Sequence, residues 1–577
     1  MHVGYSGKKG SETLYVTLSY VKNGKTTSKP YRKLGNVVDL QKSLGTDYNG
    51  VLEWAKKECA KDTKAYKDEN EKVILSLSPS QLINQNEKRT FNCGCLFLNC
   101  LFRDLRLDNI VRNIDTRHSY EYNLRAILSD LICARVIEPG SKMSSYRTAQ
   151  QFPEPPKYDL HEVYRALSVL SEESDYIQSE VYRNSNHIHA RNSKVLYYDC
   201  TNYYFEIEQE SGDRKYGKSK ENRPNPIVGM GLFMDADGIP LAFDLHPGSR
   251  NEQLTLKPLE QKVIRDFECA EFIYCSDSGL GSEDNKQFND MGGRSYVITQ
   301  SLKKLKAEDR EIALNPKQFR KIGSKKFIDL TQLDETDEEV KDTIYYKEVP
   351  VETKKLSQTM LVTYSPKYKA YQQKIRQSQI ERAEAMIGDG SGKPGKRTRN
   401  PNDPARFMKK TSVTADGETA DREFYELDQE AIDKEAMYDG FYAVVTDMEA
   451  DPSEIIAINQ RRWQIEECFR IMKTDFKARP VFLSRDDRIK AHFLICFLAL
   501  LEYRLLETKL GNKYTVTEIT GTLRKMNLCE VDNQGYVPAY TRTQLTDDLH
   551  ELYGFRTDTQ IIRKSKMRSI IKQTKNR

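Results

Sequence analysis

The order of predicted elements between residues 194 and 301 limits the fold of this chain more than any other feature. Three apolar stretches follow one another at 194–207, 226–235 and 239–248, and the turn signal "DADG" joins the last two, which predicts consecutive hairpin-type strands. Ser249 with Glu252 predicts a capping-box start for a helix, and "EFIYCSDSG", another helix and "RSYVITQS" follow. Three strands, a helix, a strand, a helix and a strand predict a mixed α/β sheet.

The segments on either side of this run have other patterns. Residues 91–190 carry apolar residues at three- and four-residue steps, which predicts helices, and the basic residues among them fit a DNA-binding bundle or a solvated face. The first 90 residues mix short alternating runs with a charged helical stretch, which indicates a small module. After residue 305 the sheet pattern breaks off. It resumes with "GFYAVVTD" at 440–447, after which Asp451 and Pro452 predict a helix start.

Charge is informative only locally. The 577 residues carry a net charge of +5, from 90 Lys and Arg against 85 Asp and Glu, so bulk charge does not indicate a nucleic-acid partner. Residues 366–410, however, hold 12 basic against 4 acidic residues, and residues 561–577 hold seven basic residues and no acidic one. For the first of these segments, a solvated linker and a DNA-facing loop both remain open.

Cysteines and apolar runs predict a reduced, soluble, cytoplasmic protein. Of the eleven cysteines only Cys93, Cys95 and Cys100 cluster, without paired CxxC spacing, so buried thiols are favoured over a zinc site. The first ten residues lack the apolar core of a signal peptide. The longest apolar run, at 493–501, has nine residues, about half of what a bilayer span requires.

A charged stripe marks the segment 458–480, "INQRRWQIEECFRIMKTDFKARP". In a continuous helix at about 100° per residue, Arg462, Glu466 and Lys473 fall within roughly 40° of one another, with Asn459 about 20° further round. The stripe lies beside an apolar face made by Ile458, Ile465, Phe469 and Met472. A surface pair of Arg462 with Glu466 is the simplest interpretation, but it leaves Lys473 and the position of the stripe beside the core unexplained.

Two aspartates occupy informative strand positions. Asp199 lies in the middle of an apolar and aromatic strand, where Asp is disfavoured, and a satisfied polar pair is the alternative to a functional role. Asp277 ends another strand before a Ser-Gly turn, where a turn-forming Asp is the alternative. Together with Glu466 on a helix against the same sheet, they can hold two Mg²⁺ ions about 3.5–4 Å apart. Such a site performs in-line phosphoryl transfer, with Arg462 and Lys473 holding phosphates.

Several stretches resemble the DDE transposases of bacterial insertion sequences. They are "YYDCTNYYFE", "GKSKENRPNP", "GIPLAFDLHPGSRNEQLTL", "YCSDSGLGS" and above all "RRWQIEECFRIMK", and the likeness runs from about residue 190 to 505. The subgroup that these stretches resemble is the IS-four-like one with the signature Y-x2-R-x3-E-x6-K. The resemblance implies catalytic, metal-binding roles for Asp199, Asp277 and Glu466. It places the signature arginine and lysine on Arg462 and Lys473.

The resemblance also implies the fold and the partners. It predicts an α/β fold, a ribonuclease H-like mixed sheet flanked by helices and interrupted by a largely β insertion domain, with an N-terminal helical region. The implied cofactor is Mg²⁺, two ions per active site, with Mn²⁺ able to substitute. The implied partners are double-stranded DNA, as the terminal inverted repeats of the element and as target, and a second protomer in a homodimer. Asn459 stands where the subgroup has its signature tyrosine, so that contact is altered or supplied elsewhere.

The pattern and the resemblance together predict six segments. These are a small α+β module (1–90), a helical DNA-binding region (91–190), the first part of the catalytic core (191–305), an insertion domain (306–439), the second part of the core with the Glu466 helix (440–510) and a basic C-terminal region (511–577). The loop at 216–224 carries Lys218, Lys220 and Arg223. It is either a charged hairpin or a grip on the DNA backbone.

Three functions remain open. The first is a transposase that cuts insertion-sequence ends and joins them to target DNA. A ribonuclease H-like nuclease that never joins has the same carboxylates, because water and a 3′-hydroxyl occupy the same nucleophile position. A catalytically silent DNA-binding descendant is disfavoured, because all three carboxylates are present. A glycosidase-like carboxylate pair needs no adjoining arginine and lysine and is disfavoured further.

Overall fold

The structure is a computed structural model that describes residues 1–22, 25–70, 78–353, 355–388, 402–413, 419–531 and 534–575. Two compact units are present, of which the first is Met1–Glu87 and the second begins at Lys88. Residues 389–401 of the predicted basic loop lie outside the described residues, and so do the last two residues of the predicted basic tail.

The first unit combines a small antiparallel sheet with two helices. Its strands β1 (His2–Ser6), β2 (Thr13–Lys22) and β3 (Lys25–Asn36) lie in that order, and its helices are α1 (Val37–Leu44) and α2 (Tyr48–Asn70). A core of Leu14, Val37, Val51 and Ala55 joins the sheet to the helices. Strand β2 and helix α2 confirm the alternating run and the charged helix predicted for this part of the chain.

The second unit begins with helices. After the short strand β4 (Thr90–Asn92) come α3 (Cys95–Asp104), α4 (Leu107–Asp115), α5 (Leu124–Ile137), α6 (Lys142–Ala149), α7 (Leu160–Glu172) and α8 (Ser174–Ser185). Their apolar faces form one buried core, as the three- and four-residue steps predict. Cys93, Cys95 and Cys100 are buried free thiols in this core.

The predicted run of strands and helices follows. Its elements are β5 (Val195–Tyr204), β6 (Ile227–Met234), β7 (Pro240–Pro247), α9 (Leu256–Asp266), β8 (Ile273–Ser276), α10 (Glu283–Asn289) and β9 (Ser295–Thr299). The predicted capping box of Ser249 and Glu252 is wrong. Asn251 instead caps a short 3₁₀ turn by accepting a hydrogen bond from the Gln253 amide at 3.1 Å, because its short side chain reaches its own backbone two residues on.

The chain after residue 305 extends the main sheet. Its elements are α11 (Ala307–Leu314), β10 (Arg320–Lys321), α12 (Glu338–Asp342), β11 (Tyr345–Glu352), β12 (Ser357–Tyr364), α13 (Pro366–Gly388), β13 (Met408–Val413), β14 (Thr419–Leu427), α14 (Gln429–Ala436) and β15 (Phe441–Thr446). The prediction that the sheet breaks off at residue 305 is wrong, because β12 pairs with β15 and brings β11 and β10 into the same sheet. Helices α13 and α14 share a smaller core of Ala383, Phe407, Met408 and Ile432. The extent of a separate insertion domain stays a prediction.

Helices dominate the rest of the chain. They are α15 (Pro452–Gln460), α16 (Trp463–Arg470), α17 (Asp486–Lys509), α18 (Val516–Lys525), α19 (Gln544–Tyr553) and α20 (Lys564–Lys575), and β16 (Asn527–Val531), β17 (Gly535–Pro538) and β18 (Ile562–Arg563) form a small sheet with β4. Asp451 caps α15 and Pro452 begins it, as predicted. The apolar run 493–501 lies in α17, which is buried against α5 and α7. Over the described ranges, no helix has an apolar stretch that could cross a bilayer.

The main sheet is mixed and has helices on both faces. Across its described strands the order is β10-β11-β12-β15-β9-β8-β5-β6-β7, with β5, β8 and β9 parallel to one another and the other pairs antiparallel. Tyr197 and Cys275 face the core that contains α15, α16 and α17, whereas Tyr198 and Tyr274 face the core that contains α9. The predicted fold class, a ribonuclease H-like mixed sheet flanked by helices, is confirmed.

A buried ion pair fixes the turn between β6 and β7. The side chains of Arg191 and Asp235 are 1% and 0% exposed and form an ion pair. The Arg191 guanidinium also donates to the carbonyls of Ile239 at 3.0 Å and Pro240 at 2.9 Å. This pair holds β6 and β7 in register, and these two strands follow β5 at one end of the sheet.

We expect Arg191→Met to lower the free energy of unfolding of the second unit by about 3–5 kcal/mol, because it leaves the Asp235 charge buried and unpaired. Urea denaturation followed by circular dichroism measures the change. The double variant Arg191→Met/Asp235→Asn should recover part of the loss. A single variant as stable as the wild type would contradict the assignment.

Candidate active site

Asp199 lies on β5, and Asp277 directly follows the neighbouring parallel strand β8. The parallel register of β5 and β8 pairs Tyr197 with Cys275, and Asp277 keeps an extended backbone after β8. Continuing the register by two residues therefore sets Asp199 opposite Asp277. Since alternate residues of a strand share a face, both carboxylates lie on the face of Tyr197 and Cys275, where α15 and α16 pack. The register thus places the two predicted residues on neighbouring strands and on one face of the sheet.

The segment that carries Glu466 is not one helix. A turn at 461–462 separates α15 from α16. The Tyr197 hydroxyl of β5 donates to the Ile458 carbonyl at 2.9 Å, and the Arg462 amide bonds to the Asn459 carbonyl at 3.2 Å. A side chain that inserts into the hydrogen-bond ladder kinks a helix. The prediction of one continuous helix with a single charged stripe is therefore wrong.

A π-helical turn, Ile471–Asp475, follows α16 and changes the direction of Lys473. Helices α5 and α17 fix the end of this turn. Arg135 of α5 donates to the Phe476 carbonyl at 3.0 Å, and His492 of α17 lies 3.0 Å from the Ala478 carbonyl. Both side chains are buried. The helical region thereby positions the segment that carries Glu466 and Lys473.

Lys473 reaches strand β5 and not Glu466. Its Nζ donates to Thr201 Oγ1 at 2.6 Å and lies 3.6 Å from the Glu221 carboxylate. Burial and, to a smaller extent, the charge of Lys220 lower the pKa of Lys473 to about 8, whereas Asp199 opposes the shift. Lys473 therefore lies beside Asp199, which precedes Thr201 by two residues on β5.

The carboxylate of Asp199 is partly buried, and its polar neighbours offset only part of the cost of burying its charge. Its Oδ1 accepts the Cys200 amide at 2.7 Å. Burial raises the pKa of Asp199 to about 6, while Lys220, the Cys200 amide and Arg462 lower it and Glu252 raises it. A carboxylate in such surroundings attracts a cation, and carboxylate oxygens are the donors that Mg²⁺ prefers. The carboxylate oxygens of Asp199 and Asp277 are therefore suitable ligands for a divalent metal ion.

Arg462 interacts electrostatically with all three predicted carboxylates. Its Nη1 lies 3.1 Å from Glu466, whose side chain is 58% exposed. The pKa of Arg462 is raised although burial opposes this, because Tyr442, Asp277 and Glu466 favour the charged form. In the described part of the chain, no group of three His, Cys, Asp or Glu side chains is close enough to bind one metal ion. Glu466 is thus paired with Arg462 and does not complete a set with the two aspartates.

The loop 216–224 lies at the same edge as the aspartates. Lys220 donates to the Cys200 carbonyl and lies 3.4 Å from Glu252. The guanidinium of Arg223 lies 4.1 Å from the centre of the Tyr204 ring. Lys218 is exposed. Three predicted DNA-binding cations therefore surround the end of β5.

Sequence reasoning missed the acidic partners of these cations. Glu221 forms ion pairs with Arg479 and Lys473, and Glu252 with Lys220. An acid within the basic stretch "GKSKENRP" is the signal that marks Glu221. Arg479 follows the last helical residue of its segment, where periodicity gives no signal, and only the fold brings it to Glu221.

Comparison with known proteins identifies the family. A profile of the transposase DDE domain matches residues 204–501, just over half of the chain. The chain belongs to this DDE transposase family. Asp277 and Glu466 lie inside the matched range, whereas Asp199 lies before it. The family predicted from the sequence is confirmed, and the IS-four-like subgroup and the bacterial origin stay predictions.

Other comparisons add little to the transposase assignment. No curated protein matches the chain. Among solved structures, the cryo-EM structure of a piggyBac transposase synaptic complex with hairpin DNA matches 84% of this chain and 85% of its own, at 9% identity and a TM-score of 0.35. That score is too low to compare the two structures residue by residue.

The hydrogen bond from Tyr197 to Ile458 generates a prediction about activity. We expect Tyr197→Phe to slow DNA cleavage at least tenfold without weakening DNA binding, because the turn that aims Arg462 and Glu466 loses its link to β5. Stability should fall by about 1 kcal/mol. The matched control is Tyr198→Phe, which removes a hydroxyl bonded to Thr255 at 2.8 Å on the opposite face. Equal losses of activity in both variants would contradict a positioning role for Tyr197.

The raised pKa of Asp199 generates a prediction about pH. Its pKa of about 6 in the folded protein lies above the ordinary 3.8, so the folded state binds the proton more tightly than the unfolded chain. The ionised Asp199 carboxylate therefore lowers the free energy of unfolding by its full amount above pH 6, and this loss disappears as the pH falls towards 4. We expect Asp199→Asn to raise the melting temperature at pH 8 in the presence of a chelator, and the difference to shrink at pH 5. A difference independent of pH would contradict the shift.

Proposed function

We propose that this transposase cuts the ends of a bacterial insertion sequence and joins them to target DNA, as a member of the subgroup with the arginine, glutamate and lysine signature. One observation carries the proposal. Asp199 and Asp277 are in register at the carboxyl edge of parallel strands, on the face against which the Glu466 segment packs. The substrate is double-stranded DNA in the cytoplasm, as terminal inverted repeats and as target, and two protomers bridge two ends.

Asp199, Asp277 and Glu466 are the proposed ligands of two Mg²⁺ ions, for which Mn²⁺ can substitute. Divalent metal, when bound, supplies positive charge beside the attacking and leaving oxygens of the phosphoryl group. The chain contributes two aspartates held by strand pairing, and an exposed glutamate whose partner is a single arginine at 3.1 Å.

Arg462 exchanges partners when DNA binds. Its pair with Glu466 joins residues four apart, a half-buried arginine and an exposed glutamate, and pairs at this spacing are worth only a few tenths of a kcal/mol. A phosphate offers two oxygens to the planar guanidinium and forms a stronger, bidentate contact. Phosphate binding thus releases Glu466 to turn towards the aspartates. In this way DNA itself completes the set of three carboxylates.

The other cations hold the DNA backbone near the aspartates. Lys473 and Lys220 lie close enough to Asp199 to affect its pKa or to be affected by it. Lys218 and Arg223 are exposed on the loop beside them. Phosphates contacted here lie next to the reacting phosphoryl group, so these residues orient the strand and do not take part in bond breaking.

The deciding experiment compares Glu466→Gln with the wild type on DNA that carries the terminal sequences of the element, in Mg²⁺. We expect the variant to bind the ends but to cut and join them more than about 100-fold more slowly, because a neutral amide is a poor ligand for Mg²⁺. The matched control is Glu467→Gln, which changes the neighbouring glutamate, paired with Arg504 at 3.0 Å. This control should retain activity.

Each other outcome has a defined meaning. Full activity of Glu466→Gln would show that the glutamate is not a metal ligand. A wild type that cuts but never joins a pre-cleaved end would be a nuclease. A wild type that binds the ends and does neither would be a catalytically silent descendant.

A further inference from the structure

Charge is unevenly distributed within the first unit. Residues 1–36, which contain its three strands, hold seven Lys and Arg and one acidic residue, Glu12, whereas residues 37–70 hold six basic and seven acidic residues. Glu12 is 3% exposed and accepts a hydrogen bond from the Tyr48 hydroxyl at 2.6 Å. The sheet is therefore strongly basic, and the helices behind it are close to neutral.

The register of the strands separates two faces of this sheet. Leu14 and Val16 are buried on the face that packs against the helices. Arg32, which pairs with Val16 across the strands, binds Glu58 at 2.9 Å and Asp62 at 2.7 Å on α2. The side chains of the odd-numbered residues of β2, such as Thr13 and Tyr15, point to the other face, here called the open face.

The open face is rich in hydroxyl groups. Strand pairing places there the exposed or half-buried side chains of Ser6, Thr13, Tyr15, Ser19, Thr26 and Ser28. Residues 1–36 contribute no carboxylate to it, because Glu12 is buried against Tyr48. Hydroxyls both donate and accept hydrogen bonds, as the edges of base pairs also do. Small side chains keep the surface flat enough for close approach of a partner.

Lysines lie on the open face and in the turn at one end of it. Lys33 pairs with Tyr15 on the open face. Lys8 and Lys9 lie in the turn between β1 and β2, next to Ser6 and Thr13 of the open face. Lys25 and Lys29 pair with Lys22 and Leu18 and so belong to the face of the helices. A ten-residue strand such as β2 is about 33 Å long, and three strands are about 10 Å wide between their outer axes.

We propose that the open face binds in the major groove of duplex DNA, with its hydroxyls towards the base edges and its lysines on the phosphates along the groove. The width of the sheet matches a groove about 12 Å wide, into which β-strands fit. The choice of duplex DNA as ligand rests on the proposed function, whereas the location and chemistry of the site rest on the first unit alone.

The test uses the full-length protein and a 30-base-pair duplex of arbitrary sequence, with fluorescence anisotropy at several salt concentrations. We expect Lys8→Gln/Lys9→Gln/Lys33→Gln to weaken binding at least tenfold. The slope of log K against log salt should fall by about 2–3, since each lost phosphate contact removes about 0.9. The matched control, Lys56→Gln/Lys57→Gln/Lys64→Gln, removes the same charge from exposed positions of α2 and should leave both quantities nearly unchanged.

A second measurement tests the groove. A duplex whose cytosines carry glucosylated hydroxymethyl groups has a filled major groove, and we expect the wild type to bind it more weakly than plain DNA, with a smaller difference for the sheet variant. Equal losses in the two triple variants, or no loss in either, would overturn the proposal. An unchanged wild-type affinity for the glucosylated duplex would overturn the placement in the major groove.

These outcomes are independent of catalysis. If Glu466→Gln abolishes cutting while the sheet variant binds normally, only this inference fails. If no cutting occurs but the sheet variant loses affinity relative to its control, the proposed function fails and the DNA-binding face stands.

Discussion

The parallel pairing of β5 with β8 is the constraint on which the rest of the candidate site depends. A parallel neighbour requires a crossover connection, and α9 supplies it on the face opposite to the site. The register then aligns Asp199 with Asp277 at the edge where β8 ends. A slip of one residue would turn either carboxylate to the other face. Arg462, Lys473 and the loop 216–224 are arranged around this pair.

The candidate site keeps charged side chains in surroundings where burial disfavours the charged form. Burial raises the pKa of Asp199 and lowers that of Lys473, so both groups are held in surroundings that disfavour their charged forms. An apolar pair at these positions would make a more stable fold, but it could hold neither a cation nor a phosphate. Functional sites commonly sacrifice stability in this way. Arg462 limits the cost in the free protein, because its guanidinium contacts Glu466 and its charge stabilises the Asp199 carboxylate.

Local sequence patterns predict the elements of this fold better than the contacts between them. The apolar runs of β5, β6, β7 and β15 and the cap at Asp451 were predictable, because each depends on neighbours in the chain. The break between α15 and α16 was not, since the apolar period continues through it and its cause is the hydroxyl of Tyr197, 261 residues away from Ile458. The pairing of β12 with β15 is likewise a long-range contact. Asp199 was visible as a misfit in an apolar strand and Asp277 as an acid at a strand end, whereas the acidic partners Glu221 and Glu252 resembled ordinary loop and cap residues.

The charges around the candidate site favour a second DNA-binding surface. The residues discussed there are six cations and five carboxylates: Lys218, Lys220, Arg223, Arg462, Lys473 and Arg479 against Asp199, Asp277, Glu221, Glu252 and Glu466. Their formal sum is only +1, and several of the cations are already paired with these carboxylates. Residues 1–36 of the first unit sum to +6. Long-range attraction of DNA follows net charge, so capture falls to the sheet of the first unit. Exchange of ion-pair partners at the catalytic edge acts only on DNA that is already bound.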